Sequence, residues 1–184
     1  MDAAVADRFF ALLTLAALAG ALVLIGLALA DRGSPVVRRV RIALWDVVGP
    51  WALWLAWLVA AVATAGSLYY SEIVGFPPCS LCWYQRIAVY PLAVILAIAA
   101  WRRDRGVRVY ALPLVAAGAL IALYQYVLGY LPDAEVLGCS IDVSCTERYL
   151  WEFGFVDFPF MSLVSFTVIG ALLASSPTRP EEGA

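Results

Sequence analysis

Four cysteines hold most of the chemistry open to this chain, and they fall in two close pairs: Cys79 with Cys82, and Cys139 with Cys145. The first pair lies in the stretch Pro78-Cys79-Ser80-Leu81-Cys82-Trp83-Tyr84-Gln85-Arg86, which opens a long apolar run. A helix from about Leu81 puts Cys82 in its first turn, where unpaired backbone N–H groups and the positive end of the helix dipole stabilise a thiolate. Cys82 is therefore the expected reactive sulfur. Arg86, four residues on, shares that helix face about 6 Å further along by helical rise. A cation so close to apolar sequence is costly unless it has a use. The pattern reads as a redox site at a membrane surface.

The rest of the composition narrows the field. Of 184 residues, 64% are hydrophobic and only 14% charged, too little polar sequence to cover a soluble core. The chain reads as an integral membrane protein. With no histidine and no lysine, it has no Ser-His-Asp catalysis, no His-ligated haem or zinc, no Schiff base and no Walker lysine. The net charge of -2 says little about partners, because in a membrane chain the side each charge occupies is what matters.

Five apolar runs must position the cysteines. Phe9 to Ala30 has no charge and is long enough to span a bilayer. A signal peptide is the competing reading, but its apolar region is shorter, about 7 to 15 residues behind a basic start. Asp31 to Leu44, with Arg32, Arg38, Arg39 and Arg41, reads as a short basic loop in which Gly33 and Pro35 break any helix. Further spans are expected at Trp45 to Leu68, Cys82 to Trp101 with Pro91 inside it, Val109 to Leu131, and Pro159 to about Ala174. A second basic loop holds Arg102, Arg103, Arg105 and Arg108, and the second cysteine pair sits in the long polar stretch Pro132 to Phe158. This gives an all-α membrane protein: a four-transmembrane-helix bundle core plus one extra N-terminal transmembrane helix. The divisions are 1–44, 45–176 for the redox domain, and a disordered tail over 177–184.

Orientation follows from the arginines. The two basic loops and Arg179 hold nine of the twelve, which marks that side as cytoplasmic and puts the amino terminus and both cysteine loops outside. Disulfides persist there. In the second loop, Ser144 and Glu147 have capping-box spacing, so a short helix is expected from Cys145 to Phe153, ended by Gly154, with Tyr149, Leu150 and Phe153 on its apolar face.

Each feature has a plainer explanation. The cysteines could be structural disulfides, although a Cys-x-x-Cys ring is too small to constrain much. They could together form a four-thiolate metal site, although on the oxidising side and without histidine. The small ring is better suited to exchange. Arg86 could simply snorkel to the headgroups, but its register with Cys82 favours function. Trp51, Trp54 and Trp57 read as packing or lipid contact, with an apolar slot as the other option. Gln125 reads as an interhelical hydrogen bond. The six acids of Pro132 to Phe158, against Arg148 alone, read as a solvated loop, or as a surface favouring a basic partner face.

The residues Pro78-Cys79-x-Leu81-Cys82-Trp83-Tyr84-Gln85-Arg86, Tyr90-Pro91-Leu92, and Cys139 to Cys145 with Thr146-Glu147 resemble those of the DsbB/BdbC disulfide bond formation proteins. The resemblance covers about Trp45 to Ala174. It implies a membrane oxidoreductase of the bacterial cell membrane that reoxidises a DsbA-like thioredoxin-fold thiol oxidase and passes electrons to a quinone, ubiquinone or menaquinone. It makes Cys79 and Cys82 the quinone-proximal pair, with Cys82 and Arg86 contacting the quinone. Cys139 and Cys145 become the pair that exchanges with the partner, Cys139 forming the mixed disulfide. No nucleic-acid partner is implied. The vitamin K epoxide reductase family has similar parts, but its loop cysteines precede the Cys-x-x-Cys, the reverse of the order here. The run Phe9 to Ala30 lies outside the resemblance.

Overall fold

The structure, a computed structural model, describes residues 3–30, 33–131, 139, 144–146 and 148–175. Among these residues six α-helices follow in order: α1 (Ala3–Ala30), α2 (Pro35–Val48), α3 (Ala52–Leu68), α4 (Ser80–Arg102), α5 (Arg108–Leu128) and α6 (Phe158–Ala174). Among the described residues, four stretches are long and apolar enough to cross a membrane: Val5–Ala30, Pro35–Ile73, Ser80–Arg102 and Arg105–Leu128. Phe158–Ala174 is a shorter apolar helix. The fold is thus all-helical, and the protein is a multi-pass membrane protein.

Helices α3 to α6 close into a ring in which α3 packs on α4 and α6, and α5 packs on α4 and α6. Helix α1 lies outside that ring against α6. The contacts are built from small residues, Ala56 and Ala60 on α3 and Ala111 and Ala122 on α5, against Leu92, Leu96, Phe166 and Ile169. In a bilayer, where lipid is as apolar as leucine, helices associate by such close packing. Gly118 is the tightest case: a Cβ there would lie 2.2 Å from the Phe166 ring.

Two local expectations are overturned. The segment after Gly33 forms a helix: Ser34 takes the extended N-cap conformation and Pro35 stands at the first helical position, where its missing N–H costs nothing. Pro35 starts α2 instead of breaking it. The helix is amphipathic, with Trp45 buried and Arg38 and Arg39 exposed, and it runs through a 3-10 turn, Gly49–Trp51, into α3.

The second loop has no helix among its described residues. The Arg148 guanidinium sits 4.0 Å over the Trp151 ring and 4.7 Å over the Tyr130 ring, and its Nη2 donates to the Gly129 carbonyl at 2.6 Å. Glu152 and Val156 then pair across a tight turn, with both N–H to O distances at 3.0 Å. Phe153 and Gly154 at its tip have φ of 55° and 81°. Gly154 therefore serves a reversal, where positive φ costs glycine little, and not a helix end. Phe153 is exposed and shares no face with buried Leu150. Glu147, the far half of the expected capping box, and the tail 177–184 lie outside the described residues.

Candidate functional site

All four cysteines meet in one cluster. Cys79 and Cys145 are buried with Leu81 and Leu128, and Cys82 and Cys139 pack against them. Cys79 is the N-cap of α4, its sulfur accepting from the Cys82 N–H at 3.3 Å. Cys82 falls in the first turn, as its spacing predicts. The two sulfurs of this pair are thiols 2.7 Å apart, whereas Cys139 and Cys145 are joined in a disulfide. Each pair has one buried member, Cys79 or Cys145, and one more open member, Cys82 or Cys139. The hydrogen bond to Cys82, and then burial, push the Cys79 thiol well above the ordinary cysteine range.

A single amide connects the pairs. Gln125 Nε2 lies 3.2 Å from Cys79 Sγ, 3.5 Å from Cys82 Sγ and 3.4 Å from the Cys145 carbonyl oxygen, and donates toward all three. Its Oε1 accepts from Gln85 Nε2 at 2.6 Å, so the side chain is held at both ends. Gln125 is an interhelical hydrogen bond, as read from its type, but its contact with the sulfurs is not legible from type alone. Gln85 is a further member that sequence reasoning passed over, although it stands beside Arg86 in the motif.

Arg86 is buried, 8% exposed, and does not snorkel. Its Nε donates to Ser67 Oγ at 3.0 Å and its Nη2 to the Ser67 carbonyl at 3.2 Å, while Tyr90 Oη donates to the same Oγ at 3.3 Å. The guanidinium also lies 5.1 Å over the Trp83 ring. Ser67 belongs to α3, nineteen positions back in the chain, and nothing local in the sequence singles it out. Two of the five N–H donors of Arg86 go to Ser67, which leaves others for a group beside it.

Cys79, Cys82, Arg86 and Gln125 border one largely apolar cleft of about 310 Å³ walled mainly by α1, α3, α4 and α6, with Gln125 reaching it from α5. Aromatic rings crowd its cysteine end: Phe76 stacks on Tyr149 at 4.7 Å, and Tyr70 meets Phe158 edge-on at 4.7 Å. None of Trp51, Trp54 and Trp57 lines it. Trp51 is 63% exposed, and Trp54 and Trp57 pack on each other at 5.6 Å, so these three make packing and outer-surface contacts and no slot.

Residues 49–175 match the family model of the disulfide bond formation protein DsbB. The chain belongs to the DsbB family. It is 46% identical over 119 residues to a probable disulfide formation protein C 2 of Bacillus anthracis, covering 65% of this chain and 85% of that one. It is 45% identical over 126 residues to a probable disulfide formation protein of Coxiella burnetii, covering 67% and 85%. With the disulfide bond formation protein C of Bacillus subtilis it shares 43% over 118 residues, covering 64% and 86%. No solved structure matches this chain. The protein is a DsbB-family disulfide formation protein with two cysteine pairs, and membership implies thiol oxidoreductase activity. The family match leaves out α1 and α2.

Proposed function

We propose that this protein reoxidises an extracytoplasmic, DsbA-like thioredoxin-fold thiol oxidase and delivers the electrons through Cys139/Cys145, then Cys79/Cys82, to a membrane quinone. The observation that carries this reading is the meeting of both pairs on Gln125 at the edge of an apolar cleft that also holds a buried arginine. The partner's thiolate attacks Cys139, the more open sulfur of the loop pair. The Cys139–Cys145 bond breaks, Cys145 leaves as thiolate, and the partner's second thiol displaces Cys139, so that two electrons and two protons reach the loop pair. The loop dithiol then reduces a Cys79–Cys82 disulfide by the same exchange. A loop disulfide beside a Cys79/Cys82 dithiol corresponds to the state after that internal step.

The cleft suits a quinone. About 310 Å³ with mostly apolar walls is within the usual range for a small-molecule site, roughly 300 to 1,000 Å³. A quinone bound there would accept two electrons and two protons from the Cys79/Cys82 pair. Arg86, fixed by Ser67, supplies a preorganised cation to the cleft, and Cys82 is the more open sulfur on it. The alternative of a metal held by all four cysteines needs four thiolates, and a Cys139–Cys145 disulfide leaves two thiols.

The arginine asymmetry supports a cytoplasmic position for the basic segments and an outward position for both cysteine loops. One experiment tests function and orientation together. Protein reduced in right-side-out vesicles should take an impermeant maleimide from outside on Cys82 and Cys139, the more open sulfur of each pair, and added quinone should first restore both disulfides and block labelling. Labelling of one pair only from the inner side, or reoxidation indifferent to quinone, contradicts the proposal.

A further inference from the structure

Helix α1 lies outside the family match, yet it supplies one wall of the cleft. Its lining residues are Phe10, Leu13, Thr14 and Ala17, spaced i, i+3, i+4 and i+7, which is a single stripe along one helix face. The stripe makes no polar demand on the cleft, because the Thr14 hydroxyl donates to its own helix at the Phe10 carbonyl, 2.8 Å away. Leu12, on another face, is 57% exposed.

The amino-terminal end of α1 is fastened beside the cysteines. Tyr70 Oη donates to Asp7 Oδ1 at 2.7 Å. The Phe10 ring lies 5.9 Å from the Tyr70 ring and packs over Gly66, where even a Cβ would sit at ordinary contact distance, 3.4 Å from Phe10. Tyr70 and Gly66 themselves line the cleft. The polar and ring contacts to Tyr70, just past the end of α3, and the approach to Gly66 on α3 thus hold the start of α1 in place, with its stripe turned to the site. The remaining walls come mainly from α3, α4 and α6, with Gln125 of α5, the segment between α3 and α4, and Tyr149 closing the cysteine end.

We propose that α1 is a wall of the acceptor site, so that Leu13, Thr14 and Ala17 contact the bound quinone and set its affinity. This rests on the cleft being the quinone site. The polar end beside Cys82 and Arg86 belongs to the family segment, and α1 contributes only apolar contact. It therefore governs how tightly a quinone binds, and leaves exchange at the loop disulfide untouched.

The test uses the full-length wild-type chain in lipid with a photoreactive azidobenzoquinone carrying a short isoprenoid tail, with cross-links mapped by mass spectrometry. Labels on Leu13, Thr14 or Ala17, alongside labels on α3, α4 or α6 and all displaced by unmodified quinone, are expected. An Ala17→Trp chain, with bulk added inside the cleft, should need about ten-fold more quinone for half-maximal cross-linking. Leu12→Trp should behave as wild type, exchange at Cys139–Cys145 included. Labels confined to α3, α4 and α6, with wild-type affinity in Ala17→Trp, overturn the role of α1 while sparing the quinone site. Labels nowhere in the cleft overturn both.

Discussion

Arg86 shows how a costly residue comes to be kept. A buried cation without partners would be expensive, but here Ser67 accepts from two of its nitrogens and Trp83 covers its face. Fixed this way, it needs no reorganisation when negative charge develops in the cleft, and such donors are commonly worth about 3 kcal/mol. Arg86→Gln should therefore slow quinone reduction by about a hundred-fold at saturating partner, with exchange at Cys139–Cys145 nearly unchanged. Ser67→Ala, which keeps the carbonyl acceptor, should cost only about 1 kcal/mol in the same assay. Wild-type quinone kinetics in Arg86→Gln would reduce this residue to a structural one. Gln125 makes a second claim at this scale. Gln125→Leu strands the buried Gln85 amide, at about 1 to 3 kcal/mol of stability, and the double change Gln85→Leu/Gln125→Leu should recover most of that. Transfer between the two cysteine pairs, followed by quenched thiol trapping, should stay slow in both variants. Recovery of transfer along with stability would mean that Gln125 only packs.

At the scale of elements, what the sequence made legible and what it hid divide by range. The Cys82 to Arg86 register and the placing of Cys82 in a first helical turn depend on residues a few positions apart, so spacing alone reads them. The reach of Ser67 to Arg86 and of Gln125 to the sulfurs joins residues nineteen and more than forty positions apart, and depends on how α3, α4 and α5 pack. Pro35 misled because proline breaks a helix interior but suits a first turn, and the two readings differ by only one or two positions. The second loop misled because Arg148, between Tyr130 and Trp151, and the turn at Phe153-Gly154 override a local capping signal. Packing at Gly118 was also invisible in sequence. Gly118→Ala puts a methyl group into the Phe166 ring and should destabilise the bundle by about 1 to 3 kcal/mol, seen as a lower melting temperature in detergent. An unchanged melting temperature would show that α5 and α6 can part at little cost.

For the whole molecule, the ring of α3 to α6 holds one dithiol, one disulfide and one cleft at the same end, and the central claim is that the two pairs work in series. Cys139 is the more open sulfur of the loop pair, Cys82 lies on the cleft, and Gln125 stands between the pairs. Removing a loop cysteine should therefore uncouple the two ends without disabling the inner one. The direct measurement is made on Cys139→Ser and Cys145→Ser proteins, chemically reduced, mixed with quinone, and trapped at intervals to read the Cys79/Cys82 thiols. The account predicts that Cys79/Cys82 is reoxidised at close to the wild-type rate in both variants, while oxidation of the thioredoxin-fold partner is lost. If reoxidation of Cys79/Cys82 by quinone disappeared along with oxidation of the partner, the two pairs would not be acting in series.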